Sequence, residues 1–310
     1  MSHSGGSFRI PSGAWIQDEG QFVKILLTGS TGFTGRYFAE AAQLAGHQVV
    51  PLAAKLLDAA TLKKEVAEVC PEAVVHLGAI SFVGHADDSA FYGVNTVGTT
   101  NLLQALTALP VMPAKVILAS SANIYGNCEA SPIAEGQAPA PLNHYAMSKL
   151  AMEYMARTFM DRLPIVIARP FNYTGPGQAL NFVIPKLVSH YARRAAVVEL
   201  GNLNVEREFN DVRMVCDAYL ALLAHGEPGE VYNVCSGKPH TLQHVIDMLA
   251  ELSGHTLEPR VNPAFVRPNE LHRLCGDPRK LLRVCEKSNV TLKQPGLREM
   301  LAWMLAKENA

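Results

Sequence analysis

The chain has 310 residues, 48% of them hydrophobic and 18% charged, which is long enough for a large core and excludes a disordered chain. Lys and Arg number 27 against 28 for Asp and Glu, a net charge of −1, so no global field gathers nucleic acid or an acidic membrane. Six scattered cysteines without a C-x-x-C pair or clustered histidines argue against a disulfide framework and a zinc site, and no metal is expected.

Residues 1–20, "MSHSGGSFRIPSGAWIQDEG", are polar and rich in Gly and Ser, and read as a flexible tail without the apolar stretch of a signal peptide. No apolar run reaches the roughly 18 residues of a membrane span, so a soluble cytoplasmic protein is expected. From Gln21 the pattern changes. "FVKILLTGSTGFTGRYFAEAAQLAGHQVVPL" reads as a buried strand, a glycine turn, a helix beginning at "RYF" and a second strand. Gly29 suits a tight turn, Gly32 a close approach of backbone to phosphate, and Gly35 close packing of helix on strand. The helix N-terminus then offers free N–H groups to a pyrophosphate. This strand–turn–helix setting predicts a dinucleotide site. The second strand ends "VVPLAAK" without the acid that holds the ribose hydroxyls of NAD. Arg36 is placed to meet a 2′-phosphate, so NADP(H) is favoured over NAD(H).

Helical stretches "DAATLKKEVAEV", "AFYGVNTVGTTNLLQALTAL" and "HYAMSKLAMEYMARTFMDR" alternate with the strands "AVVHLGA", "AKVILASSANIYG" and "LPIVIARPFN". Strand–helix alternation predicts right-handed crossovers and a parallel sheet of α/β, Rossmann-type doubly wound class. Beyond Pro170 the alternation degrades; helices remain at "IPKLVSHYARR", "TLQHVIDMLAELSG" and "PGLREMLAWMLAKE", and "YNVCSG" reads as a turn. Residues 21–171 plus 212–238 are therefore expected to form the NAD(P)-binding domain. Residues 172–211 plus 239–310 are expected to form a smaller α/β lobe over the carboxyl edge of the sheet, where ligands bind.

Two hydroxyls, Ser120 and Ser121, close the strand "VILASS". Downstream, Tyr145 and Lys149 stand four apart on one helix face. A nearby ammonium favours the phenolate, so the Tyr145 pKa is expected to fall from its usual value near ~10. One serine can bind a substrate carbonyl while Tyr145 supplies a proton beside a hydride donor. His76 reads as a strand-end core residue, and Asn95 as a brace for the catalytic loop.

The order "TGSTGFTG", "HLGA", "SSANIYG", "YAMSK", "ARPFNYTGPGQ" resembles the extended short-chain dehydrogenase/reductases that act on nucleotide sugars, over about Val23 to Lys280. The resemblance implies Ser121 as the catalytic hydroxyl, Tyr145 as acid/base, and Lys149 as the group that holds the nicotinamide ribose and tunes Tyr145. It extends the expected cofactor contacts to Thr31, Phe33, Thr34, Leu57, Leu77, Gly78 and Ala79. Departures are Gly78 within "HLGA", Lys55 in place of a frequent acid, and the missing C-terminal "GWxP".

Within that family, 4,6-dehydratases carry Asp-Glu after the catalytic hydroxyl, where this chain has Ala122 and Asn123. The 3,5-epimerising reductases carry a Cys and a His where it has Asn123 and Gly177. Direct ketone reduction or 4-epimerisation remains. "RPFNYTGPGQALNFVIPK", "LGNLNVEREFNDVR", "VYNVCSG" and "VRPNEL" resemble the branch that reduces GDP-4-dehydro-6-deoxy-D-mannose to GDP-D-rhamnose. That likeness implies a GDP-sugar substrate, with Gly201 and Asn202 at the base, Arg207 at the diphosphate, Arg267 and Glu270 at phosphate and ribose, and Ser81, Asn172 and Lys186 lining the cleft. A 4-epimerase with tightly bound NAD is the alternative, and a non-catalytic NADP-binding sensor a third reading. Apolar positions on more than one face of "NTVGTTNLLQAL" and "SKLAMEYMART" suit a homodimer joined by a four-helix bundle, as in relatives.

Overall fold

Near-continuous runs of Val, Ile and Leu need burial on both faces, and a parallel sheet between helix layers provides it. The computed structural model describes residues 22–266, 271–288 and 290–309. The expected tail at 1–20 lies outside them. The chain forms β1 (Lys24–Thr28), α1 (Phe33–Leu44), β2 (Gln48–Pro51), α2 (Ala59–Val69) and β3 (Ala73–His76). Then come α3 (Asp88–Phe91), α4 (Thr99–Thr107), β4 (Lys115–Ala119), α5 (His144–Arg157) and β5 (Ile165–Pro170). Next are β6 (Tyr173–Thr174), α6 (Val183–Ala192), β7 (Val197–Leu200), β8 (Glu206–Glu208), β9 (Asn210–Asp211), α7 (Val212–His225) and β10 (Val231–Val234). The chain continues through β11 (Pro239–Thr241), α8 (Leu242–Ser253), β12 (Glu258–Val261), β13 (Arg273–Leu274), α9 (Arg279–Lys287) and α10 (Leu297–Glu308).

Six strands pair in the order β10-β5-β4-β3-β1-β2, all parallel. The order reverses between β1 and β3, and a crevice opens there at the carboxyl ends. Alternate side chains serve opposite faces. Ile25, Leu27, Val75, Ile117 and Val166 pack with α1, α7 and α9, whereas Leu26, Val74, Val116, Leu118 and Ile165 pack with α2, α4 and α5. Each such side chain contributes roughly 1.5–3 kcal/mol by burial.

A third core joins α6, β7, α8 and α10 through Leu187, Tyr191, Val198, Leu249, Met300 and Leu301, residues of the segments expected for the second lobe. α9 lies inside that lobe's expected boundaries, yet its Leu281, Val284 and Cys285 belong to the core of the first sheet face. "YNVCSG" is also corrected: Val231–Val234 is the sixth strand of the sheet, paired with β5, and only the residues after it turn. A continuous helix over 90–109 is likewise interrupted. A π-helical turn over Tyr92–Gly98 separates α3 from α4. Such widened turns are costly and recur at functional sites. α1 starts at Phe33, earlier than expected, with Gly32 as its extended N-cap. The six cysteines are free thiols, and no helix among the described residues is long and apolar enough to cross a membrane.

Candidate active site

The glycine turn sits at the crevice. Gly29 has φ +70°, and a Cβ there would lie 2.7 Å from the Gly78 nitrogen. A Cβ on Gly35 would lie 2.1 Å from the Gly29 carbonyl oxygen. No side chain fits either place, so the turn packs its backbone closely against Leu77 and Gly78 and runs straight into the N-terminus of α1. This is the shape a pyrophosphate needs.

A buried chain of hydrogen bonds sets the loop opposite. The Thr99 hydroxyl donates to the Asn95 carbonyl, so it accepts from His76 Nε2 at 2.8 Å. That places the ring proton on Nε2 and leaves Nδ1 to accept from Thr28 Oγ1 at 2.7 Å. Thr28 Oγ1 in turn accepts from the Gly78 N–H at 2.9 Å. Burial pushes the His76 pKa down to about 3, so the ring is neutral. His76 is thus a core residue with a task, fixing Leu77, Gly78 and Ala79 against the glycine turn.

Of the other residues expected at the cofactor, Thr31 and Gly32 are exposed at the turn. Phe33 stacks on Tyr173 with centroids 6.2 Å apart, and Thr34 Oγ1 lies 2.7 Å from the Tyr173 hydroxyl. These two residues tie the start of α1 to β6. The Arg36 guanidinium is exposed and donates to the Gly177 carbonyl at 3.2 Å. Leu57 is exposed, while Leu56 turns inward beside Gly78 and Gly98. An acid does reach the end of β2, from a place the strand's own sequence does not show. Glu65 on α2 accepts from the N–H groups of Ala53 and Ala54, each at 2.7 Å.

The second half of the site is built on β4 and α5. Asn143 caps α5 by accepting from the Ala146 N–H, which puts Tyr145 in the first turn and Lys149 one turn on. Tyr145 and Lys149 are both buried. The Ser121 hydroxyl lies close enough to the Tyr145 phenol to lower its pKa, and Lys149 Nζ donates to the Ala119 carbonyl at 2.7 Å. Ser121, Tyr145 and Lys149 therefore meet at the carboxyl end of β4. The choice between the two serines is made by Glu153: Ser120 Oγ donates to its Oε1 at 2.5 Å, deep in the core. Ser121 is the hydroxyl left for a ligand.

The expected fall of the Tyr145 pKa is corrected. Burial raises it above 10.0, and the Ser121 hydroxyl pulls the other way. The ammonium expected to lower it is engaged with the Ala119 carbonyl instead, and burial pushes the Lys149 pKa down to about 8. Desolvation dominates, so the phenol keeps its proton at neutral pH. Asn95, in the π-helical turn, bridges the Ile80 backbone and Ser148 Oγ at 2.9 to 3.2 Å. It braces the loop, as its place in "GVNTVGT" suggests.

Among the residues expected at the substrate, Ser81, in the loop after β3, and Asn172 are exposed, and the Asn172 carbonyl accepts from the Asn210 N–H. Lys186 Nζ donates to the Glu199 carbonyl at 2.6 Å and lies 4.4 Å from the Phe265 ring centre. A Cβ on Gly201 would meet the Phe265 carbonyl at 2.6 Å. Lys186, Gly201 and Phe265 thus converge, and the half-exposed Phe265 ring is a flat apolar face that sequence reasoning missed. Asn202 accepts from the Asn204 N–H. Arg207 donates to the Glu206 and Leu271 carbonyls. Arg267 and Glu270 lie outside the described residues.

The model of the NAD dependent epimerase/dehydratase family matches residues 25–235. A GDP-6-deoxy-D-talose 4-dehydrogenase of Aggregatibacter actinomycetemcomitans is 35% identical over 268 residues, 84% of this chain and 91% of that protein. A GDP-6-deoxy-D-mannose reductase of Pseudomonas aeruginosa is 36% identical over 296 residues, 90% of this chain and 96% of that protein. The structure of RMD from Pseudomonas aeruginosa complexed with NADPH superimposes with a TM-score of 0.84 at 32% identity, covering 93% of this chain and 99% of that one.

Proposed function

The chain belongs to the NAD dependent epimerase/dehydratase family, and from that premise we propose that it reduces the 4-keto group of GDP-4-dehydro-6-deoxy-D-mannose to give GDP-D-rhamnose, with NADP(H) preferred. It is an NAD(P)-dependent nucleotide-sugar oxidoreductase, as its relatives are. The observation that carries the reduction is the content of the crevice. Ser121, Tyr145 and Lys149 meet there, while Ala122 and Asn123, next to the catalytic hydroxyl, offer no second acid or base. Elimination of water needs one; ketone reduction does not.

The close-packed glycine turn at the N-terminus of α1 fits a dinucleotide, and Lys149 is assigned to its nicotinamide ribose. Bound and reduced, the cofactor supplies the hydride. Ser121 donates a hydrogen bond to the keto oxygen and orients it. Tyr145, protonated at neutral pH, gives its proton to that oxygen as negative charge develops. Lys149 steadies the phenolate left behind. The Phe265 face and Lys186 are assigned to the base end of the substrate.

The reading is tested by mixing the purified protein with NADPH and freshly dehydrated GDP-mannose. One reduced cofactor should be oxidised per product formed, with the product's C4 configuration read by NMR. GDP-6-deoxy-D-talose as product would overturn the stereochemical assignment. Sugar conversion without net NADPH loss, in a protein that purifies with bound NAD, would identify a 4-epimerase instead.

The homodimer is part of the same proposal. The π-helical turn packs along α5, and Val97 (51% exposed), Met147 (40%) and Tyr154 (54%) are left uncovered there. Light scattering should return twice the chain mass of 33.6 kDa, and a monomer would end the idea.

A further inference from the structure

Tyr145, Lys149 and Glu153 stand one turn apart along one face of α5. The proposed chemistry uses the first two and leaves the third unexplained. Glu153 is 1% exposed. Arg169 on β5 grips it with two bonds, Nε to Oε1 at 2.9 Å and Nη2 to Oε2 at 2.6 Å, and Ser120 donates to Oε1 at 2.5 Å. Arg169 is itself anchored, through Nη1, to the Tyr125 hydroxyl at 2.8 Å and the Glu135 carbonyl at 3.1 Å. Arg169 and Ser120 thus hold the carboxylate one helical turn along α5 from Lys149.

Lys149 needs such a neighbour. Its hydrogen-bond partner, the Ala119 carbonyl, carries no charge, and burial of an ammonium without a compensating anion drives off its proton. The groups facing it are His76 from β3, which is neutral, Tyr145 from its own helix, which is protonated, and Glu153 backed by Arg169. Glu153 is the anion among them, and it opposes the effect of burial on Lys149.

We propose that Glu153, clamped by Arg169 and Ser120, is a positioning residue that keeps Lys149 charged and seated against the Ala119 carbonyl. The inference rests on Lys149 being the ribose contact of the cofactor. Its test therefore reads cofactor binding rather than sugar turnover.

NADPH affinity is measured by fluorescence from about pH 6.5 to 9.5 for the wild type, Glu153→Gln and Arg169→Met. In the wild type, affinity falls as Lys149 loses its proton. Glu153→Gln leaves the buried guanidinium as the nearest charge, so the midpoint should move down by about one pH unit or more, with about tenfold weaker binding at pH 8. Arg169→Met leaves the carboxylate to Lys149 alone, so the midpoint should move up. Opposite shifts are the signature, because a clamp that only packs would weaken binding equally at every pH. Shifts in one direction, or unmoved midpoints in both variants, overturn the proposal. If Glu153→Gln does not fold, Arg169→Met against Arg169→Lys decides. Met must raise the midpoint and Lys must restore it, and any other pattern refutes the role. Shifts as expected in a protein that leaves GDP-sugars untouched would reject the substrate and retain Glu153. A wild type that binds no dinucleotide would reject the cofactor reading on which both depend.

Discussion

Tyr145→Phe should lower turnover by about 10²–10⁴-fold, the usual worth of a placed general acid, while cofactor affinity stays near that of the wild type. The substitution removes one oxygen, the one beside the Ser121 hydroxyl. The ring packs edge-on against Phe91 at 6.0 Å, a contact phenylalanine keeps, so α5 and its lysine are not displaced. Burial holds the proton on the phenol, which suits a group that must donate during reduction. It also means that the ammonium's service comes after the transfer, when the phenolate must be tolerated in a low-dielectric site. Steady-state NADPH oxidation and a fluorescence titration separate the two effects. A variant within tenfold of wild-type turnover would remove Tyr145 from the chemistry.

Lys149→Met should damage turnover and cofactor affinity together, because one ammonium serves both. Each is expected to fall by about tenfold or more, the loss of a charge-assisted hydrogen bond worth roughly 1.5–3 kcal/mol. In the wild type the same group sets an alkaline limit: activity should decline as pH rises through about 8, where Lys149 loses its proton. Stability moves the other way. The folded pKa of about 8 lies below the ordinary 10.5, so between those values the unfolded chain binds more protons. The Lys149 contribution to stability therefore rises with pH across that window. Below pH 8 the buried charge is a standing cost, and the methionine variant should melt no earlier than the wild type at pH 7. Unchanged dinucleotide affinity in Lys149→Met would contradict the shared role.

Local pattern was enough for the parallel sheet. The alternation of Ile25, Leu26 and Leu27 between two helix-covered faces follows from strand geometry alone. The glycine spacing was equally legible, since only glycine fits where a Cβ would strike backbone at 2.1 to 2.7 Å. The i, i+4 placement of Tyr145 and Lys149 needs nothing beyond helical repeat. Other features were hidden because they depend on partners far along the chain. "YNVCSG" looked like a turn, and becomes a strand because β5 offers an edge for it. The run at 90–109 looked like one helix until Asn95 was drawn to Ile80 and Ser148.

What the sequence determined by itself was which residues meet through short spacing: the glycine cradle after β1 and the tyrosine–lysine face of α5. The tertiary structure alone decided how those groups are charged. Burial raised the Tyr145 phenol where its neighbour's charge had suggested the reverse, the buried Glu153 carboxylate claimed Ser120 and left Ser121 beside Tyr145, and Glu65 from α2 brought an acid to the end of β2. Spacing is a property of neighbouring residues, whereas desolvation and long-range hydrogen bonds exist only once distant segments have packed.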